Sequence, residues 1–180
     1  MRNVTRLPLL AAIAILAACT TTTTVSTPGA ALDTSAKWAL LPIANHTDTP
    51  QAGLAAEAIT EHLLRARGIG DLDHYPSTLS RDTLFEPAER GVVEEARKWA
   101  RDKGIRYGVT GVVEEWRYKV GIDGEPAVGV TLQVINLEDG RVLYSASGAK
   151  SGWSRESLAG VANKLLQSLV AQVPAGARAK

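Results

Sequence analysis

The sequence predicts one domain of the α/β (α+β) class, with a mixed sheet that ends in an antiparallel three-strand meander flanked by helices. Three runs, 107–120, 127–136 and 141–147, are rich in valine, threonine and aromatic residues, which favour strands. Glu138-Asp139-Gly140 between the last two runs is a hairpin signal. Amphipathic helical patterns precede and follow these strands, so helices are expected to cover the sheet.

The first half of the domain reads as strand, helix, strand, helix. The nearly continuous apolar run 38–43 is typical of a strand buried on both faces. A helix is predicted over 51–67, and a short strand over 71–75. A second helix begins near Pro87, which suits a first helical turn, and stops at Lys103-Gly104.

The last element is an apolar-faced helix predicted over 154–173, with leucine and valine at i, i+3, i+4 and i+7. The domain is therefore expected to span 37–174, followed by a frayed basic tail at 175–180.

The N-terminus has the pattern of a bacterial lipoprotein signal. Residues 1–18 contain a basic segment and then an apolar run that is shorter than the roughly 20 residues needed to span a bilayer. Leu16-Ala17-Ala18-Cys19 matches a lipobox, and Cys19 is the one cysteine among 180 residues. We therefore expect Cys19 to be acylated and to become the first mature residue. An ordinary signal peptide is the alternative.

The residues after Cys19 predict where the domain lies. Thr20 replaces the aspartate that retains lipoproteins in the inner membrane, so the expected location is the periplasmic face of the outer membrane, held by lipid. The Thr-rich stretch 19–36 lacks apolar periodicity and is predicted to be a flexible linker. Removal of residues 1–18 with their two arginines changes the formal charge from +1 to −1, which argues against nucleic acid as a partner.

A catalytic centre is not predicted. His46, His62 and His74 lack the spacing of metal ligands, and no phosphate-binding loop or nucleophile elbow is present. The neighbours Glu114 and Glu115 are expected to point to opposite faces of a strand. We therefore expect a protein that is not an enzyme, with no metal and no cofactor.

Trp153 is the first candidate binding residue, because it lies between the last strand and the last helix. An exposed tryptophan in such a loop would favour the lipid headgroup region. The alternative is a hydrophobic staple, in which Ser154 caps the helix and Trp153 packs on Leu158.

The second candidate is the acidic loop that contains Asp123 and Glu125, together with Glu114 and Glu115 on the preceding strand. A solvated hairpin tip is the simpler explanation. In a ring of copies, however, such loops would create a negative field able to guide a cationic polymer.

Two stretches resemble a known group of periplasmic lipoproteins, the CsgG-like and LpoB-like proteins. The run 38–47 is similar to their opening strand followed by Leu-Pro and Asn-x-Thr, and 104–113 is similar to their entry into the meander. With Thr49–Gly53 and Ser151-Gly152-Trp153 added, the chain most resembles the PelC-like outer-membrane lipoproteins of Pel exopolysaccharide export.

That resemblance implies a homo-oligomeric ring, expected to hold twelve copies, that passes a cationic polysaccharide to the outer-membrane porin PelB. It also implies that Trp153 is the membrane-contacting tryptophan and that Asp123, with Glu125 beside it, faces the funnel. The alternative is an LpoB-like activator of a peptidoglycan synthase. A linker of this length reaches only about 25 Å as a random coil, which disfavours that alternative.

Overall fold

The computed structural model describes residues 20–26, 31–76, 86–121 and 124–176. The predicted signal peptide, Cys19 and Asp123 lie outside the described residues. The elements run in this order: β1 (Thr20–Ser26), β2 (Leu32–Asp33), β3 (Trp38–Asn45), α1 (Ala52–Ala66), β4 (Leu72–His74), α2 (Glu86–Asp102), β5 (Tyr107–Tyr118), β6 (Pro126–Asn136), β7 (Val142–Ser151), α3 (Leu158–Ala171) and β8 (Ala175–Gly176).

Six strands form one mixed sheet in the order β1-β7-β6-β5-β3-β4. β3 lies next to the edge strand β4 and pairs in parallel with both β4 and β5, whereas the β5–β6, β6–β7 and β7–β1 pairs are antiparallel. The predicted α+β class and the C-terminal meander are confirmed.

Helices cover the two faces of the sheet unequally. Alternate residues of β3 belong to different cores: Trp38 and Leu40 pack with α1 and α3, whereas Ala39 and Leu41 pack with α2. This explains why β3 is apolar at nearly every position. The second core reaches only the β3 side of the sheet, Ile135 at the end of β6, and Leu137 in the turn that follows. Among the described elements, the α2 side of β7 and β1 therefore has no helix over it.

The first correction concerns the linker. Thr20–Ser26 is not a flexible tether but an edge strand, which pairs antiparallel with β7 from Thr20↔Lys150 to Ser26↔Tyr144. Threonine is β-branched and has a high strand propensity. The side chains of residues 21–25 in this edge strand are exposed, so its sequence shows no alternation of apolar and polar residues. Because that alternation is what predicts a strand, the sequence pattern indicates a linker instead.

The second correction concerns the tail. Ala175–Gly176 is not frayed, because it pairs in parallel with Leu32–Asp33 in a separate two-stranded sheet. The N–H of Leu32 also donates to the carbonyl of Pro174 at 2.7 Å. Residues 177–180 lie outside the described residues.

One end of the sheet projects beyond the rest. The β3–β5 ladder ends at Asn45↔Val113, but the β5–β6 ladder continues to Tyr118↔Pro126. Five further residues of strand extend this end by about 16 Å. We call this projecting part, residues 114–121, 124–129 and 149–153, the hairpin end.

Candidate functional site: the hairpin end

Trp153 lies at the hairpin end and is 60% exposed. The staple prediction is wrong, because the N-cap of α3 is Ser157 and not Ser154. The Ser157 hydroxyl accepts a hydrogen bond from the N–H of Gly160 at 3.1 Å. Trp153 therefore lies four residues before the cap and outside the N′ position that a staple requires.

Glu156 fixes the backbone of the Trp153 loop. The N–H of Trp153 donates to Oε2 of Glu156 at 2.9 Å, and the N–H of Glu156 donates to the carbonyl of Trp153 at 2.8 Å. Lys164 on α3 binds the other carboxylate oxygen. The Lys164 ammonium and then the Trp153 amide hold the pKa of Glu156 below its usual value. The carboxylate is therefore ionised at neutral pH, and the loop is tied to α3.

Gly152 allows the loop to pack closely against the domain. A Cβ at this position would lie 2.4 Å from Cγ2 of Val161 and 3.0 Å from Cγ of Pro126. The N–H of Gly152 donates to the carbonyl of Pro126 at 2.8 Å. Only a glycine fits here, so Trp153 projects from a tightly held turn.

The predicted acidic residues are described only in part. Glu125 is at the hairpin end and has a side chain that is 43% exposed, with Nζ of Lys119 3.9 Å from its carboxylate. The Lys119 ammonium partly neutralises the negative charge that the Glu125 carboxylate presents to solvent. Lys119 also donates to the Ser151 hydroxyl at 2.7 Å.

The acidic pair Glu114 and Glu115 on β5 does not follow the simple alternation of a strand. A β-bulge shifts the β5–β6 register between Val113 and Glu115. As a result, a Cβ built on Gly129 would lie 3.4 Å from Cβ of Glu115 and 3.9 Å from Cβ of Glu114. Both glutamates therefore flank the same face of β6, the face opposite the α3 core. The expectation that they point apart is wrong, because simple alternation fails at a bulge.

A cluster of charged side chains around His74 was not predicted from the sequence. His74 of β4 has Nε2 3.0 Å from Oε2 of Glu57 and Nδ1 3.0 Å from Oε2 of Glu61. Glu61 also accepts from Arg65, and this guanidinium, followed by His74, lowers the pKa of Glu61. The i, i+4, i+8 spacing of Glu57, Glu61 and Arg65 on α1 is visible in the sequence. Their contact with β4 through His74 is not. The cluster joins α1 to the edge strand, away from the hairpin end.

In the part of the chain that the structure describes, no group of three or more His, Cys, Asp and Glu side chains is arranged to hold a metal ion. Within the same ranges, every helix is too short or too polar to cross a bilayer.

The fold places the domain in a class that includes a bacterial lipoprotein. The structure of lipoprotein GNA1162 from Neisseria meningitidis superposes with a TM-score of 0.54 at 18% identity, covering 76% of this chain and 96% of that one. This likeness shows the fold alone. No protein-family model matches the chain, and no curated protein matches it by sequence.

A second structure is much more similar. PelC from Paraburkholderia phytofirmans, solved as a dodecamer, superposes with a TM-score of 0.74 at 40% identity, covering 88% of this chain and 100% of that one. The chain belongs to the PelC family.

Proposed function

We propose that this protein is an acylated lipoprotein that assembles into a twelve-membered ring on the periplasmic face of the outer membrane. The ring guides cationic Pel exopolysaccharide to the porin PelB for export and biofilm formation, and catalyses no reaction. The observation that carries this proposal is 40% identity to the PelC dodecamer over the full length of that structure.

The acidic side chains of β5 and of the β5–β6 hairpin support the guiding role. In a ring, each copy would contribute Asp123 and Glu125, together with the neighbouring pair Glu114 and Glu115. Twelve copies of these carboxylates would give a field that raises the local concentration of a cationic polymer. Glu114 accepts from the Thr131 hydroxyl at 3.0 Å and Glu115 pairs with Arg117. We therefore assign Asp123 the main role.

Asp123→Lys is expected to reduce exported Pel roughly tenfold, because the change replaces attraction of the polymer by repulsion. The ring should remain intact, so the acylated variant extracted from membranes should keep the mass of twelve protomers. Glu138→Lys is the matched control, since Glu138 is an exposed acidic residue in the β6–β7 turn at the other end of the meander. Unchanged export by Asp123→Lys would contradict the guiding role, and a monomeric wild-type protein would contradict the ring.

Trp153→Ala is expected to weaken membrane contact and export without unfolding the domain. The side chain is 60% exposed and does not staple α3, so the free energy of unfolding should change by less than about 0.5 kcal/mol. Urea denaturation and recovery of Pel measure the two effects separately. Trp99→Ala is the control for lost packing, because Trp99 contacts the ring of Tyr75 edge-on at 5.3 Å. A large loss of stability in Trp153→Ala would show that this tryptophan is structural.

A further inference from the structure

One face of the sheet, on the three strands β1, β7 and β6, is lined by small polar side chains. Core residues such as Val130 and Ala146 alternate along β6 and β7 with residues that point to the opposite, α2 side. Among the described elements, no helix covers that side of these strands. We call it the hydroxyl face and define it by six residues: Thr21 and Thr23 of β1, Ser145 and Ser147 of β7, and Thr131 and Gln133 of β6.

The strand register sets these side chains in rows across the three strands. Ser147 pairs with Thr23 on one side and with Thr131 on the other. Ser145 pairs with Gln133 in the next row, two residues along the strands. Neighbouring strands lie about 4.8 Å apart, and residues i and i+2 of one strand lie about 6.8 Å apart. The face therefore presents a regular lattice of hydroxyl and amide groups, each of which can donate and accept hydrogen bonds.

The lattice is open to solvent but has no anchor for a protein partner. Residues 21–25 are exposed, and the side chains of the other two strands on this face are partly exposed. Protein interfaces are held by aromatic and arginine side chains, and serine and threonine are under-represented among their hot spots. None of the six residues is aromatic or charged. A hydroxyl-rich ligand fits the face better than a second protein does.

A carboxylate at the border of the hydroxyl face determines the charge of that ligand. Glu114 is exposed on β5, and its Oε1 accepts from the Thr131 hydroxyl at 3.0 Å. The neighbouring Glu115 is paired with Arg117, whereas no cation among the described residues is paired with Glu114. The face thus joins neutral hydrogen-bonding groups to a negative charge, which complements a sugar chain that carries amino groups.

We infer that the hydroxyl face binds the sugar rings of a cationic polysaccharide, with Glu114 receiving its amino groups. This inference rests on the proposed function, because it takes the ligand to be the guided polymer. Sugar hydroxyls donate and accept, as the serine, threonine and glutamine side chains do. Because the six residues include no aromatic ring to hold a sugar, each contact is weak. Weak contacts repeated from row to row let a ligand enter and leave, as transport along a path of many sites requires.

Thr23→Arg tests this surface in cells that export Pel. The arginine would project from the hydroxyl face beside Ser147 and repel a cationic chain, so exported Pel is expected to fall about fivefold. Thr22→Arg is the matched control, because Thr22 pairs with Gly148, a position that faces Leu165 of α3. Thr22→Arg should export like wild type, and both variants should keep the mass of the ring.

The outcomes separate this inference from the proposed function. Wild-type export by Thr23→Arg, together with poor export by Asp123→Lys, would overturn the binding surface and leave the proposed function standing. Normal export by both variants would overturn both. Loss of the ring in Thr23→Arg would show that a second copy covers this face, and that result would also overturn the surface. So would an equal loss of export in Thr22→Arg, since the effect would not belong to one face.

A binding measurement on the full acylated chain in detergent does not depend on export. One sample carries a fluorophore on Ala149→Cys, an exposed position that pairs with Thr21 on the same face. The other carries it on Thr22→Cys, on the opposite face. Chitohexaose, a cationic oligomer of an amino sugar, is expected to shift the emission of the label at position 149 and not at position 22. No shift at 149, or equal shifts at both positions, would overturn the surface.

Two variants then separate the hydroxyl contacts from the charge. Thr23→Val with Ser147→Ala should weaken the binding of chitohexaose about tenfold, because two hydrogen-bonding groups are lost. Glu114→Gln should weaken the binding of chitohexaose several-fold and leave that of its neutral, fully N-acetylated form unchanged. Unchanged binding of chitohexaose to both variants would show that the oligomer does not contact this face.

Discussion

Glu57→Ala is expected to lower the free energy of unfolding by about 3 kcal/mol. Glu57 of α1 is a charged residue, yet it is buried, with only 5% of its surface exposed. Its Oε1 accepts the backbone N–H of Ile43 at 2.9 Å, at the register shift of the β3–β5 ladder, and its Oε2 lies 3.0 Å from His74. Alanine would leave a buried N–H without an acceptor and would remove one of the two carboxylates that hold His74.

Glu57→Gln is the matched control for this effect. Its side-chain carbonyl keeps an acceptor for the N–H of Ile43, so the expected loss falls to about 1 kcal/mol. Urea denaturation followed by circular dichroism measures both variants. Equal losses would mean that the hydrogen bond to Ile43 contributes little and that the contact with His74 dominates. No loss in Glu57→Ala would contradict the role assigned to this carboxylate.

The parts of the fold that follow from local periodicity were predicted from the sequence. The alternation over residues 128–134 of β6 and the i, i+3, i+4, i+7 pattern of α3 each arise from the face that packs into the larger core. Such patterns identify the element without knowledge of its partner. The N-cap of α3 was misplaced by three residues, since Ser154 and Ser157 are equally good caps by type and only packing distinguishes them.

The features that depend on a partner distant in sequence were not predictable. Thr20–Ser26 becomes a strand only because β7 offers an open edge more than a hundred residues later. Glu114 and Glu115 share a face only because β6 pairs across a bulge. In the candidate site, Trp153 was identified from its loop position. The position of Tyr118 at the same end follows only from the strand register, which pairs it with Pro126.

Gly53→Ala is the second substitution expected to have a large effect, a loss of about 2 kcal/mol in the free energy of unfolding. A Cβ on Gly53 would lie 2.2 Å from the carbonyl oxygen of Ile43, a backbone atom that cannot rotate away. Either α1 or β3 must therefore move. Gly91→Ala is the matched control on α2: no atom lies within 4 Å of its Cβ, so the better helix propensity of alanine should stabilise the protein by about 1 kcal/mol.

The same close contact supports the hairpin end. Gly53 follows the turn that contains Thr49, and the Thr49 hydroxyl donates to the carbonyl of Trp116 at the base of the hairpin end. If α1 is displaced from β3, this turn is displaced from β5, and the projecting strands lose their support from the first half of the domain. Gly53→Ala should therefore also raise hydrogen exchange at 114–118, whereas Gly91→Ala should leave it unchanged. Equal stability of Gly53→Ala and wild type would show that α1 does not approach β3 this closely.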